Sequence, residues 1–344
     1  MTTMPLLHPP QGPSRRATTL ALLICCALLT GCTASTTPDQ GESAEQPEPS
    51  LVSVGNEEAW QANGHRPVPG IAPLPYDSDP MRSVERGDAD RQGVVRYERD
   101  GARVPHPVLE AQFGLSMLNN FRLSKDERYL QMARENARAI IRQADRRNNV
   151  LWHTYRFDFA LHSDVTNTIH APWWSAMAQG QVLSLLVRLH RVDGGTEWMR
   201  AARQTFRSFL EVHREGSLPD GPWVVFASSD NWLWLEEYAG DVEPMRVLNG
   251  HIFAMYGLYD YWSETDDERA AMLFDGAAST VLEFVPRLRN KGRPSWYGMR
   301  VQDNPVAMSE TYHRIHIGQL DMLAQMTDNP RFAELSRTLR DDFY

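Results

Sequence analysis

Three short words in the second half of this chain gather side chains that can trade protons. Glu236-Glu237-Tyr238 sets two carboxyls beside a phenol, Trp296-Tyr297-Gly298-Met299-Arg300 sets a phenol near a guanidinium, and Tyr312-His313-Arg314-Ile315-His316 adds another phenol and two imidazoles. A free Glu titrates near about 4.3 and a free Tyr near about 10, so the two pass protons efficiently only where burial brings them together. A guanidinium keeps its charge at any working pH and can grip a carboxylate through paired hydrogen bonds. The chemistry open to such groups is acid–base proton transfer beside a neutralised anion. Each also has an ordinary reading: a solvated strand end for Glu236 and Glu237, core packing for Tyr297 and Tyr312, a surface ion pair for Arg300.

Other chemistries find less support. His313 and His316 stand at i and i+3, a spacing that suits a metal, but no third ligand lies near and no metal is expected. His170 and His251 read as cavity-lining groups. The chain has no Gly-rich phosphate loop and no nucleophile elbow, and no cofactor is implied. The three cysteines are Cys25, Cys26 and Cys32. All lie in the opening segment, so the folded part can form no disulfide and offers no thiolate. The chain carries 35 basic and 44 acidic residues, a net charge of −9. Arg15 and Arg16 fall in the opening segment and no acid does, which makes the remainder more acidic still. Bulk charge therefore excludes nucleic acid as a partner.

That opening segment reads as an export signal. Arg15 and Arg16 precede an apolar run, Ala17 to Leu29, which is shorter than the roughly 20 residues of a spanning helix. Leu29-Thr30-Gly31-Cys32 is similar to a bacterial lipobox, which makes residues 1–31 a signal peptide and Cys32 the acylated first residue of the mature chain. Thr33, in place of an Asp, leans toward the periplasmic face of the outer membrane. Residues 32–58 are rich in Ser, Thr, Pro, Gln and Glu and should be a disordered tether. About 285 residues, 59–344, remain for one globular unit.

Self-similarity organises that unit. Ser124-Lys125-Asp126-Glu127-Arg128-Tyr129-Leu130, Asp193-Gly194-Gly195-Thr196-Glu197-Trp198-Met199, Thr265-Asp266-Asp267-Glu268-Arg269 and Thr327-Asp328-Asn329-Pro330-Arg331-Phe332 recur about every 62 to 72 residues. Each reads as a helix start with a Ser, Thr or Asp cap, running into an amphipathic segment: Gln131–Ile141, Arg200–Leu210, Ala271–Phe284 and Ala333–Phe343. A helix containing a glycine precedes each one: Leu109–Leu123 with Gly114, Trp173–Val192 with Gly180, Met245–Trp262 with Gly250, and Ser309–Met326 with Gly318. These first helices mix apolar residues with Gln179, Gln181, Asn249, His251, His316 and Gln319, as a helix between a core and a polar cleft would. The expected fold is all-α with minor β-hairpins, an α/α toroid of about four helical hairpins, with an open solenoid as the alternative. The connectors Val150–Leu161, Pro222–Tyr238 and Ser295–Val301 alternate as strands do and should gather at one mouth.

Placed on that frame, the words resemble the C-terminal catalytic domain of the D-glucuronyl C5-epimerases. They are Trp173-Trp174-Ser175-Ala176-Met177-Ala178-Gln179-Gly180-Gln181, Glu236-Glu237-Tyr238, Val247-Leu248-Asn249-Gly250 through Gly257-Leu258-Tyr259-Asp260, Trp296 to Arg300, and Tyr312-His313-Arg314-Ile315-His316-Ile317, in family order over about 145 residues. The resemblance implies an isomerase that turns D-glucuronate into L-iduronate in a heparan-type, uronic-acid polysaccharide. It puts catalysis on Glu237, Tyr297 and Tyr312, with Glu237 serving one sugar face and Tyr297 or Tyr312 the other. Tyr238 and Arg300 match further active-site positions, and Asn249, His316 and Gln179 are expected to meet substrate. The family's aromatic before the paired glutamates is Leu235 here, and residues 59–107 are too short to supply the β-rich domains of animal members. A polysaccharide lyase shares the proton abstraction, and a polysaccharide-binding lipoprotein without turnover is the non-enzymatic alternative. The partners implied are an acidic polysaccharide and, through the lipid, a membrane.

Overall fold

The computed structural model describes residues 50–54, 59–84, 89–161, 164, 166–300, 302, 304 and 308–344. The signal segment, Cys32 and most of the expected tether lie outside them. The end of that tether is part of the fold, however, because β1 (Ser50–Val52) pairs antiparallel with β2 (Trp60–Ala62). Burial of Val54 and Trp60 on either side outweighs the polar composition that suggested disorder. A second hairpin, β3 (Tyr97–Arg99) and β4 (Ala102–Val104), turns on Asp100 and Gly101, both at positive φ as a two-residue turn requires.

Four helix pairs follow: α1 (Pro107–Ser124) with α2 (Glu127–Gln143), α3 (Ala176–Asp193) with α4 (Thr196–Phe206), α5 (Leu248–Thr265) with α6 (Glu268–Phe284), and α7 (Glu310–Thr327) with α8 (Pro330–Phe343). One turn geometry serves all four. Each inner helix ends on a residue in the left-handed region, Lys125, Gly194, Asp266 or Asp328, and the next residue begins the outer helix. Asp126, Asp267 and Asn329 each accept the N–H two residues on. At Gly195, which has no side chain to cap with, Asp193 accepts the Gly195 N–H instead. The caps thus sit a residue or two inside the repeated words, and one of them is borrowed.

The odd-numbered helices form the inner layer and touch in the order α1, α3, α5, α7, each backed by its outer partner. This is an α/α toroid of four hairpins. Every residue from Ala176 to Leu189 and from Leu248 to Tyr261 is buried, which explains why those segments lack a polar face. Helices α3 and α5 pass backbone against backbone: a Cβ on Gly180 would lie 2.5 Å from the Ala254 Cα, and one on Gly257 would lie 2.3 Å from the Gly180 carbonyl oxygen.

Short strands occupy the connectors: β5 (Asp145–Arg147) with β6 (Val150–Trp152), β7 (Phe159–Ala160) with β8 (Thr168–Ile169), and a sheet of β9 (Val212–Arg214), β10 (Val225–Ala227) and β11 (Leu233–Leu235). Single bridges, Trp174 to Ala239 and Val247 to Gly298, tie the three connectors together at the N-terminal ends of the inner helices. Among the described residues 295–300 the structure shows bridges at Trp296 and Gly298 where a strand was expected; Pro294 and Gly298 interrupt a ladder there.

The opposite end is closed by a segment to which the sequence pattern assigns no element. From β2 the chain runs across the C-terminal ends of all four inner helices. The N–H groups of Asn63, Gly64 and His65 point to the carboxylate of Asp275, Val68 N–H reaches the Met326 carbonyl, and the Tyr259 hydroxyl donates to the Val68 carbonyl. Asp77 then pairs with Arg188 at 3.1 Å, and Asp79 and Arg82 are held by Asn119 and Asn120. Arg188 is itself buried against Asp260 at 2.9 Å. This strap joins the last hairpin to the first and places Tyr76 against Phe253 and Tyr256. Asp260→Ala, which leaves the buried Arg188 with Asp77 alone, is expected to destabilise the fold by about 3–5 kcal/mol in urea melts. A loss under about 1 kcal/mol would show that the Arg188–Asp260 pair carries no load in this clasp.

Candidate functional site

Glu237 leaves β11 at the open mouth, and three neighbours fix its backbone. Glu236 N–H donates to the Val224 carbonyl, Ala176 N–H donates to the Glu236 carbonyl, and Trp174 and Ala239 bridge. The Glu236 side chain is fully buried and turns back on its own loop, accepting the N–H groups of Tyr238 and Arg246 at 3.1 and 3.0 Å. It is therefore no solvated strand end. It sets the shape of the loop that separates Glu237 from α5.

Tyr297 comes from the third connector, anchored where its carbonyl accepts Leu248 N–H at the start of α5. Tyr312 stands in the first turn of α7, its ring 4.6 Å from that of Tyr297. The Tyr297 hydroxyl donates to Glu237 Oε1 at 3.1 Å and lies 3.1 Å from the Tyr238 hydroxyl. Residues separated by 75 positions thus meet in one cluster. Tyr238 stacks on Phe159 and leans on Trp173, which stacks face to face on Tyr155 at 3.8 Å.

Water is nearly absent from this group. Glu237 is 5% exposed and Tyr297 is fully buried, whereas Tyr312 keeps part of its surface open. Burial pushes the Glu237 carboxyl up to about 8, against the opposing pull of the hydroxyl of Tyr297. Burial, and then the charge of Glu237, raise all three phenols, so they remain protonated donors at neutral pH. Glu237 Oε2 has no partner among the described residues, and it lies against α5 where a Cβ on Gly250 would be 2.1 Å away. The glycine is what lets the carboxyl reach the helix. Arranged this way, the cluster holds a carboxyl that ionises near neutral pH beside donors that do not.

The remaining expected residues separate. Asn249, next to Gly250, is buried with both amide atoms unpartnered among the described residues, and its carbonyl accepts Gln319 Nε2. His316 has its Nδ1 2.9 Å from Ser295 Oγ, while its Nε2 is unpartnered and burial pushes its pKa down to about 3, leaving it neutral. His313 also turns to Ser295, its Nδ1 accepting the Ser295 N–H. His251 accepts the Leu235 N–H and faces the Ala277 carbonyl, a structural use and not a cavity lining. Gln179 is likewise a correction: its amide accepts His153 N–H and donates to the Leu151 carbonyl and Ser208 Oγ, leaving nothing for a ligand. Its polar group satisfies the connector backbone instead of facing a cleft.

Arg300 has a side chain that is 45% exposed and ion-paired to Glu243. It lines an open cavity of about 860 Å³ together with Trp174, Arg246 and His170. The cavity adjoins the cluster through the loop that Glu236 shapes. Neither that loop's anchor nor the Gly250 contact had a signal in sequence spacing, since both depend on which elements pack.

The fold and this mouth place the chain among the α/α toroids. Residues 147–340 match the family described as D-glucuronyl C5-epimerase C-terminus, and the chain belongs to it. A D-glucuronyl C5-epimerase of Caenorhabditis elegans is 25% identical over 167 residues, which are 44% of this chain and 26% of that enzyme. The match thus spans about a quarter of the relative's length. A crystal structure of D-mannose isomerase is similar in fold, with a TM-score of 0.50 at 10% identity over 73% of this chain and 64% of that one. Cellobiose 2-epimerase from Bacillus thermoamylovorans gives 0.49 at 12% identity over 74% of this chain and 65% of that one.

Gly250→Ala is expected to drive the Glu237 carboxyl off its seat while the helices stay folded. The pH titration of that carboxyl, followed by infrared or NMR, should move from near 8 toward the ordinary range. An unchanged titration in a folded variant would show that the contact with α5 does not hold the carboxyl.

Proposed function

We propose that this chain is an epimerase that inverts C5 of D-glucuronate residues, giving L-iduronate, within a uronic-acid polysaccharide. The observation that carries the reading is the buried Glu237 carboxyl, poised near neutral pH and hydrogen-bonded to Tyr297 in a chain of the epimerase family. The C5 proton is only weakly acidic, because the carbanion forms beside a carboxylate. On this reading Glu237 takes the C5 proton and the C5–H electron pair moves into the sugar's carboxylate. The Tyr312 phenol then gives a proton to the opposite face.

Two features support Tyr312 over Tyr297 in this step. Glu237 and Tyr297 share a hydrogen bond, so no sugar ring fits between them while it holds, and both serve one side. Tyr312 is the more open group and stands beyond Tyr297. Tyr297 then has a second use. It links Glu237 to Tyr312 and can return the abstracted proton to the phenolate, restoring both groups after each turnover.

The substrate carboxylate needs a cation. Arg300 supports that role by lying in the adjoining cavity, where a uronate would replace Glu243 as its partner. Asn249 and His316, buried with unpartnered polar atoms beside the cluster, are the proposed contacts for sugar hydroxyls. The N-terminal lipobox extends the proposal to location: a domain held by acylated Cys32 at the periplasmic face of the outer membrane, acting on an exported polymer.

Incubation with a glucuronate polymer in deuterated water should place deuterium at C5 without new ultraviolet absorbance. Unsaturated ends without C5 exchange would assign the chain to the lyases instead. Tyr297→Phe and Glu237→Gln should each cut exchange by at least about a hundredfold while polymer binding persists, in line with the 10²–10⁴-fold worth of acid–base groups. Exchange that survives both changes removes the assignment.

Because the base must be ionised and its pKa is raised to about 8 by burial, kcat/KM should climb about tenfold per pH unit below 8 and level off above it. A profile flat from pH 5 to 8 would exclude Glu237 as the base.

A further inference from the structure

We propose that the axis of the ring, between α3, α5 and the strap, is a binding site for ordered water held by Gln181, Ser184, Tyr256 and Tyr76. The inference does not depend on the reaction proposed above, and none of these four residues lines the open cavity.

Five polar atoms on the four side chains carry it. Both amide atoms of Gln181, Ser184 Oγ and the hydroxyls of Tyr256 and Tyr76 are buried, and none has a hydrogen-bond partner among the described residues. Gln181 and Ser184 are fully buried and three residues apart on α3, which sets them on one face of the helix. Tyr256, 1% exposed, stands beside Gly257, and Gly257 packs on Gly180, the neighbour of Gln181. The crossing of the two helices thus brings the amide and the phenol together. Tyr76 joins them from the strap, its ring edge-on to Tyr256 at 6.0 Å and its hydroxyl toward Gln181 without closing a hydrogen bond.

The backbone of Tyr76 shows that this placement is held and not incidental. Its φ is 71°, in the left-handed region that strains an aromatic residue. Phe253 stacks on the ring at 6.3 Å, the Arg188 guanidinium lies 5.3 Å over it, and the next residue, Asp77, is ion-paired to that same arginine. Strain that persists under so many contacts marks a side chain whose position has a use.

Chemistry selects the occupant. Buried polar groups pair with protein or with ordered water, because a bare one forfeits the hydrogen bonds it had in solvent. These five atoms offer donors and acceptors and carry no charge. Arg188, the cation beside them, is already bonded to Asp260 and Asp77. A Cβ on Gly180 would lie 2.5 Å from the Ala254 Cα, so α3 and α5 are too close for a sugar ring or a polyol to lie between them. Water is the smallest molecule that both donates and accepts, and about two molecules, at roughly three hydrogen bonds each, satisfy the group.

Tyr256→Phe in the purified full-length chain tests this, because it keeps the ring and removes one hydroxyl. A hydroxyl bonded to water contributes to stability, so Tm should fall by about 2 °C, whereas removal of an orphaned hydroxyl leaves Tm unchanged or raises it. Oxygen-17 relaxation of water should then show fewer long-lived internal molecules in Gln181→Leu with Ser184→Ala than in the parent chain, by about two. A crystal structure of the parent chain reads the same site should that double variant fail to fold. An unchanged or raised Tm, an equal water count, side chains bonded directly to one another, or a cation held by the unpartnered oxygen of Asp79 overturns the proposal.

Discussion

A carboxyl group held away from water, with phenols and another carboxylate for neighbours, is costly to ionise. Glu237 is such a group, and the connectors, the loop after β11 and the start of α5 are all arranged around it. The hydroxyl of Tyr297 lowers the penalty without cancelling it, which leaves the carboxyl titrating near neutrality. Its unpartnered oxygen rests on the first turn of α5, the positive end of that helix's dipole, which eases ionisation further. Burial also raises the pKa of Glu236, its neighbour in sequence, and two backbone N–H groups oppose that rise. One carboxyl is tied to its own loop and the other meets a phenol.

Holding such a group requires a rigid frame, and the frame is shut at the far end. The strap from β2 to Arg82 crosses the C-terminal ends of the inner helices and ties α7 to α1, so among the described residues that end is covered and the end where the three connectors meet is open. Close contact of α3 with α5 through Gly180 and Gly257 makes the inner layer narrow. The mouth's charges are paired among themselves.

The helical hairpins were legible because their cause is local. A left-handed residue followed by Asp, Asn or Gly makes the same turn wherever it occurs, and the spacing of apolar residues tells an outer helix which side to bury. The chain's words also carried the residues of the cluster by resemblance, and the structure brings Glu237, Tyr238, Tyr297 and Tyr312 to one place. The strap escaped detection because it has no periodicity of its own; apart from Asp77 N–H to the Leu74 carbonyl, the hydrogen bonds that hold it go to side chains and backbone more than 30 residues away.

By itself, then, the sequence determined the repeated hairpins, the absence of cysteine chemistry in the folded part and the set of proton-carrying side chains. Tertiary structure decided which of them share a hydrogen bond, that Gln179 is consumed by backbone, that Arg300 belongs to the adjoining cavity, and that Glu236 shapes a loop. The division has a physical reason. Turn and helix preferences act over a few residues, whereas desolvation, partner choice and a carboxyl's pKa depend on which distant segments exclude water from the same point.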